Sequence, residues 1–246
     1  SSSPKSFSSV ISEINTFTTG SHQILLVGNI YQDSSILELG NSSPSPVPFT
    51  IILTSFTQTP SQIVINNNAS YVKVQKDVLC SNIVIDGANQ MRPEALIVVT
   101  GNLFILEGTT IQNTRHTDNS GGGITVSTNG TVFMEGGLIT NCHAGIGFGG
   151  GVYVGDQTAQ FDFSGGKISA CTAPSGGGVG VEMYAIFNMD GGEIFNCTAK
   201  EDNSGGGGVY IGGTMNLQNG KILSCRANGA NSRGGGIYLS GFGSLF

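Results

Sequence analysis

The sequence predicts an all-β chain folded as a right-handed three-sided parallel β-helix with a short N-terminal capping helix, and three observations carry that expectation. The first is a phrase that returns four times: an apolar pair, Gly-Gly, Ile, Cys, Ala, then a glycine run opening an apolar strand. It runs from Val132 to Cys142, from Phe161 to Cys171, from Phe187 to Cys197 and from Met215 to Cys225, where Asn219-Gly220 replaces the Gly-Gly. These cysteines stand 29, 26 and 28 residues apart, a period that signals stacked repeats. The second is unit size: a repeat this small cannot bury its own apolar face and must stack on its neighbours. The third is that every repeat offers three short β-branched or aromatic runs separated by turn residues, hence three strands and three turns per coil. Right-handedness follows from the chirality of parallel crossovers.

The elements follow in order. Residues 1–20 form the cap: Phe7, Val10, Ile11 and Ile14 fall at helical spacing and would lid the open end of a solenoid. Residues 21–102 read as irregular coils. Their strand runs, such as Ile24 to Ile30, Phe49 to Leu53, Ile63 to Ile65 and Ile83 to Ile85, are separated by Asn/Ser/Gly/Pro turns of uneven length. Residues 103–246 read as regular coils. Each holds an F-x-F/M strand, a strand after the Gly-Gly turn carrying Ile139, Ile168, Ile194 or Ile222, and a V-Y-V-type strand after the glycine run. Eight or nine such coils give a rod of roughly 40 Å. Ile237 to Phe246 enters what would be the first strand of another coil, so this end is expected to be an open edge for continuation or self-assembly.

Composition narrows the function classes. The formal charge is −6, charged residues make up 11 %, and no Lys/Arg cluster occurs in the sequence, so a nucleic-acid partner is not expected. No apolar run is long enough to span a bilayer, so no direct membrane insertion is expected. Four N-x-S/T sequons, at Asn41, Asn68, Asn129 and Asn196, are glycosylation candidates. The repeat type and the polar, charge-poor surface, with the sequons as a lesser sign, point to an extracellular or cell-surface location, with any signal peptide outside this numbering.

The pattern GGGVYV, F-x-M-x-GG-x-I, Ala, GGGVYV resembles the Gly-Gly-rich β-helix repeats of bacterial and protist surface proteins and is similar to the repeats of chlamydial polymorphic membrane proteins. The resemblance covers roughly residues 103–246. In that group the phrase commonly ends in an Asn that stacks at an inside corner; here Cys142, Cys171, Cys197 and Cys225 take its place. Thr114 fills that column one coil earlier, and Ala144, Ala173, Ala199 and Ala227 keep the Ala position. The resemblance implies a shared architecture more than a shared activity.

Three constellations could carry chemistry. Arg115-His116-Thr117-Asp118-Asn119 and Glu201-Asp202-Asn203 occupy equivalent loops three coils apart, about 14 Å, beyond the span of paired catalytic carboxylates. Ordinary turn chemistry explains them, and neither a cofactor nor a metal is expected. The cysteine column can be a stack of free buried thiols, or can bridge as Cys142–Cys171 and Cys197–Cys225, with Cys80 left over. The third is a column of outward tyrosines, Tyr153, Tyr210 and Tyr238, with Thr125 and Gly180 in the missing places. Such a row either holds the sheet together or stacks on sugar rings. His22 and His143 stand alone and suggest nothing. The expected function is a non-catalytic structural or adhesive segment of a surface protein or filament. The alternatives are a carbohydrate-binding module using the tyrosine face and, third, a polysaccharide lyase or hydrolase.

Overall fold

The computed structural model describes residues 20–26, 30–32, 36–40, 49–55, 58–66 and 71–246. The expected capping helix falls on residues outside this set, apart from Gly20, which opens the first strand. Every described element is a β-strand and every pairing joins parallel strands of successive coils, so the chain is a three-sided parallel β-helix.

Each side is built by one class of sequence run. The first side stacks the F-x-F-type strands, from Phe49–Ser55 through Asn102–Ile105 and Gln160–Phe163 to Ser244–Leu245. The second stacks the strands after the Gly-Gly turn, including Ile83–Asp86, Leu138–His143 and Lys167–Ser169. In two coils a single strand, Ile186–Phe195 or Thr214–Leu223, runs through the corner and joins these sides, with register shifts around Asp190. The third side is a separate eight-stranded sheet of three-residue strands, from Leu37–Leu39 to Ile237–Leu239. Seven steps between eight strands give a stack of about 34 Å.

The structure adds a short fourth run that the three-strand reading does not contain. After the column of Asn113, Asn141, Ala170, Asn196 and Ser224, all in the left-handed region, the chain turns and pairs again over one or two residues. These are Arg115–His116 against Met91–Arg92, then His143, Thr172–Ala173, Thr198–Ala199 and Arg226–Ala227. The glycine runs close the coil behind it. The third glycine from the end of each run, Gly121, Gly149, Gly176, Gly206 or Gly234, has positive φ. A Cβ on the middle glycine Gly177 would meet the Gly207 carbonyl at 2.5 Å, so the run allows the short fourth run and the third side to approach backbone to backbone.

Alternation along each strand sends every second side chain inward, and the parallel register piles these into columns. One column reads Ile51, Val78, Leu103, Val132, Phe161, Phe187, Met215 and Leu245. Phe161 and Phe187 stack with centroids 5.1 Å apart and planes 6° from parallel. One apolar cluster runs from Ile24 to Met215 without a break, as expected of a single solenoid. Each fully buried Val, Leu, Ile or Phe contributes roughly 1.5–3 kcal/mol.

Candidate functional site

The tyrosines lie in one column on the third side, as the alternation predicts: Thr125, Tyr153, Gly180, Tyr210 and Tyr238 are successive partners. The place left open by Gly180 is filled from outside the column. Phe148, in the loop before the Tyr153 strand, lies over Gly180, where a Cβ would come within 2.5 Å of the Phe148 Cβ. It stacks on Tyr210 at 4.3 Å and on Tyr153 at 6.5 Å, while Tyr210 and Tyr238 sit 5.7 Å apart. The rings therefore cover one another's faces along the rod and turn their edges outward. The Tyr153 hydroxyl donates to Glu182 Oε2 at 2.9 Å, and burial followed by that carboxylate holds the phenol well above its usual range.

The cysteine column forms as the repeat predicts, headed by Thr114, whose hydroxyl donates to the Gly122 carbonyl at 2.6 Å. All five cysteines are free thiols. Those at 142, 171 and 197 are buried and Cys225 is partly exposed. Each column thiol points at the carbonyl two residues before it, such as Cys171 at Ser169 (3.2 Å) and Cys142 at Thr140 (3.3 Å). Burial raises Cys171 well above the ordinary thiol range. The Cys171 thiol raises Cys197, and Cys197 in turn raises Cys225, with burial adding in both cases. Burial alone pushes Cys80, inside the first side, up to about 12. Thiols held protonated in this way are packing atoms rather than nucleophiles.

Of the sequons, Asn41 and Asn68 lie outside the described residues. Asn129 and Asn196 are exposed, both at positive-φ turn positions. Asn196 makes no side-chain hydrogen bond among the described residues, whereas Asn141 in the same corner column donates to Asn113 Oδ1 at 2.7 Å.

The carboxylates do not converge. No group of three or more His, Cys, Asp or Glu is arranged to hold a metal ion among the described residues. Several half-buried acids are engaged by neighbours: Asp162 accepts from Gln160 and Asn188, Asp86 from Gln112 and Asn113, Asp77 from Asn102 and Glu182 from Tyr153, while Glu193 pairs with Lys167. His116, in the Asp118 loop, is buried beside Arg92 rather than presented to solvent. Its Nδ1 accepts the Asn119 N–H at 3.1 Å, and burial lowers its pKa. Arg92 is itself buried and donates to the carbonyls of Gly87 (2.7 Å) and Ile65 (3.1 Å).

One grouping departs from the sequence reading. His143 does not stand alone: in the short fourth run it sits directly between Arg115 of the preceding coil and Thr172 of the next. With Asn141, Ala170 and Lys200 these residues line a cleft of about 170 Å³. His143 Nδ1 lies 2.5 Å from Thr172 Oγ1. Burial lowers the His143 pKa, and Lys200 and Arg115 lower it further by like-charge repulsion. A signal for this grouping exists in the sequence: Arg115 follows Thr114 as His143 follows Cys142, so the two share a register position.

No protein-family model matches the chain, and no curated protein or solved structure matches it at a significant level. No described helix is long and apolar enough to cross a membrane.

Proposed function

We propose that this chain is a non-catalytic structural or adhesive rod of an extracellular, cell-surface or filament-forming protein. The observation that carries this reading is the commitment of side chains to ladders. Inward columns, thiols, corner amides and outward aromatic rings all bond or stack along the rod axis. The half-buried Asp77, Asp86 and Asp162 are tied to Gln and Asn donors, Glu182 to the Tyr153 hydroxyl and Glu193 to Lys167, whereas a glycan-cleaving enzyme needs a converging pair of carboxylates. What remains for function is shape: a stiff body presenting loops and corner residues, including the exposed sequon residues Asn129 and Asn196. The likeness of the repeat phrase to surface-protein repeats agrees with this reading.

The test is to isolate the protein from its source and examine it by light scattering and negative-stain imaging, with mass spectrometry of the peptides carrying Asn129 and Asn196. Elongated particles, assembled or within a larger surface protein, with glycan on either asparagine, are expected. Release of reducing ends or unsaturated products from an acidic polysaccharide panel, with or without Ca²⁺, would overturn the reading. A second reading, carbohydrate recognition, rests on the continuous strip of Tyr153, Phe148, Tyr210 and Tyr238. Since the stacked rings offer edges rather than faces, it requires edge-on contacts. Replacing the three tyrosines with Ala would abolish glycan retention if it holds and leave retention unchanged if it does not.

A further inference from the structure

Two cations are answered by an acid of a neighbouring coil among the described residues: Lys73 lies 3.8 Å from Glu38, and Lys167 lies 2.7 Å from Glu193. The short fourth run gathers bases onto one cleft instead. Arg115 and Lys200 make no ion pair among the described residues, although acids outnumber Lys and Arg sixteen to ten in the chain. Between them stands His143, a third base, on whose ring both cations act repulsively. Bringing bases onto one cleft without a carboxylate costs Coulomb energy that an anion from outside would reverse.

The cleft is equipped for that anion. Arg115 offers a planar fork of donors suited to a pair of anionic oxygens, and Lys200 offers a mobile point charge. The contact of His143 Nδ1 with the Thr172 hydroxyl leaves Nε2 as the ring nitrogen free for a ligand. The hydroxyl of Thr114, also on the lining, is already used by the Gly122 carbonyl, so it does not compete. A volume of about 170 Å³ holds several waters or one compact oxyanion.

We propose that the cleft lined by Arg115, His143, Thr172 and Lys200 binds an oxyanion (a carboxylate, sulfate or phosphate group) carried by a ligand outside the chain. This goes beyond the rod reading and is independent of it: a purely structural rod needs no such site, and a glycan-cleaving enzyme would need carboxylates that the cleft lacks.

The test follows the His143 ring by NMR while acetate, sulfate or phosphate is titrated against chloride at constant ionic strength. His116, whose ring is buried, is the internal control. At least one oxyanion is expected to shift His143 saturably, leave His116 unmoved, and raise the pH at which His143 titrates. The rank order of the three anions identifies the group on the natural ligand. In the Arg115→Gln/Lys200→Gln variant, with its fold checked by thermal melting, binding is expected to weaken at least about tenfold. No saturable shift of His143 with any of the three anions, or saturable binding of equal strength in the folded double variant, would overturn the proposal.

Discussion

The coil that ends in Cys197 and the coil that ends in Cys225 carry nearly the same phrase and occupy the same columns, yet they are buried to different depths. Ile194, Cys197 and Met189 are fully buried, whereas Ile222 and Cys225 are only partly covered and Leu217 is 36 % exposed. On the third side Ile211 is fully buried while its partner Leu239 is 45 % exposed. The phrase decides which side chains point inward. Depth comes from contact with adjacent coils, which covers the Cys197 coil more fully than the Cys225 coil. Stability in such a stack is therefore close to a sum of interface terms between adjacent coils.

The largest expected effect separates two positions of one column. Phe187, fully buried against Phe161, should cost about 3–5 kcal/mol when replaced by Ala, through lost burial and the cavity left behind. Leu245, two places along the same column and 42 % exposed, should cost less than about 1.5 kcal/mol on the same replacement. Urea-unfolding midpoints of the two variants decide the matter. Equal losses would mean that something other than stacking sets burial energy here.

Thiol reactivity reads the same contrast without denaturant. Among the column cysteines Cys225 alone is more than marginally exposed, so a thiol reagent should label it well before Cys142, Cys171 and Cys197. Labelling should be slow even there, because Cys197 and burial raise the Cys225 pKa. All five should react at once after unfolding. Early labelling of Cys171 would show that the coils open locally in the middle of the rod.

The architecture was readable because periodicity reports stacking directly. Val132, Phe161, Phe187 and Met215 recur at one phase of the phrase and form one column, and even Thr114 was placed correctly at the head of the thiols. The surface groupings were harder, because they depend on contacts between coils that no local pattern encodes. Phe148 fills the space over Gly180 from a loop outside the repeat phrase. Arg92 and His116 are enclosed by groups from other parts of the chain: Gly87 and Ile65 supply carbonyls to the guanidinium, and Asn119 supplies an N–H to the imidazole. His143 acquires meaning only once the register sets it beside Arg115.

The buried histidine makes the enclosed pair testable by pH. His116 has its pKa lowered in the folded chain from the model-peptide value of 6.5, mainly by burial, so protonation favours the unfolded chain. Its contribution to stability is complete above pH 6.5 and is lost as the pH falls from there through the folded value, at about 1.4 kcal/mol per unit of depression. Stability measured by urea at pH 7.5, 6 and 5 should fall with acidification, and His116→Gln should flatten that slope. His143, lowered in the same direction, supplies a smaller remaining slope because it is only half-buried. An unchanged slope in His116→Gln would mean that the ring opens to solvent before it is protonated.

The smallest expected effect concerns the outer ladders. Lys167 Nζ lies 2.7 Å from Glu193 Oε1 and 4.2 Å from the centre of the Phe195 ring, with the two charged side chains 41 % and 28 % exposed. Exposure lets water and salt screen the pair, so a double-mutant cycle of Lys167→Met and Glu193→Gln should give a coupling below about 1 kcal/mol. Met keeps an unbranched apolar stem but loses the charge over the Phe195 ring, a contact worth about 0.5–1 kcal/mol at an exposed site, so the single-variant loss is small as well. Coupling should shrink further at high salt. A coupling above about 2 kcal/mol that resists salt would reassign part of the coil-to-coil adhesion from the inward columns to the outer face, and the contrast between covered and uncovered coils would then have to be explained by both.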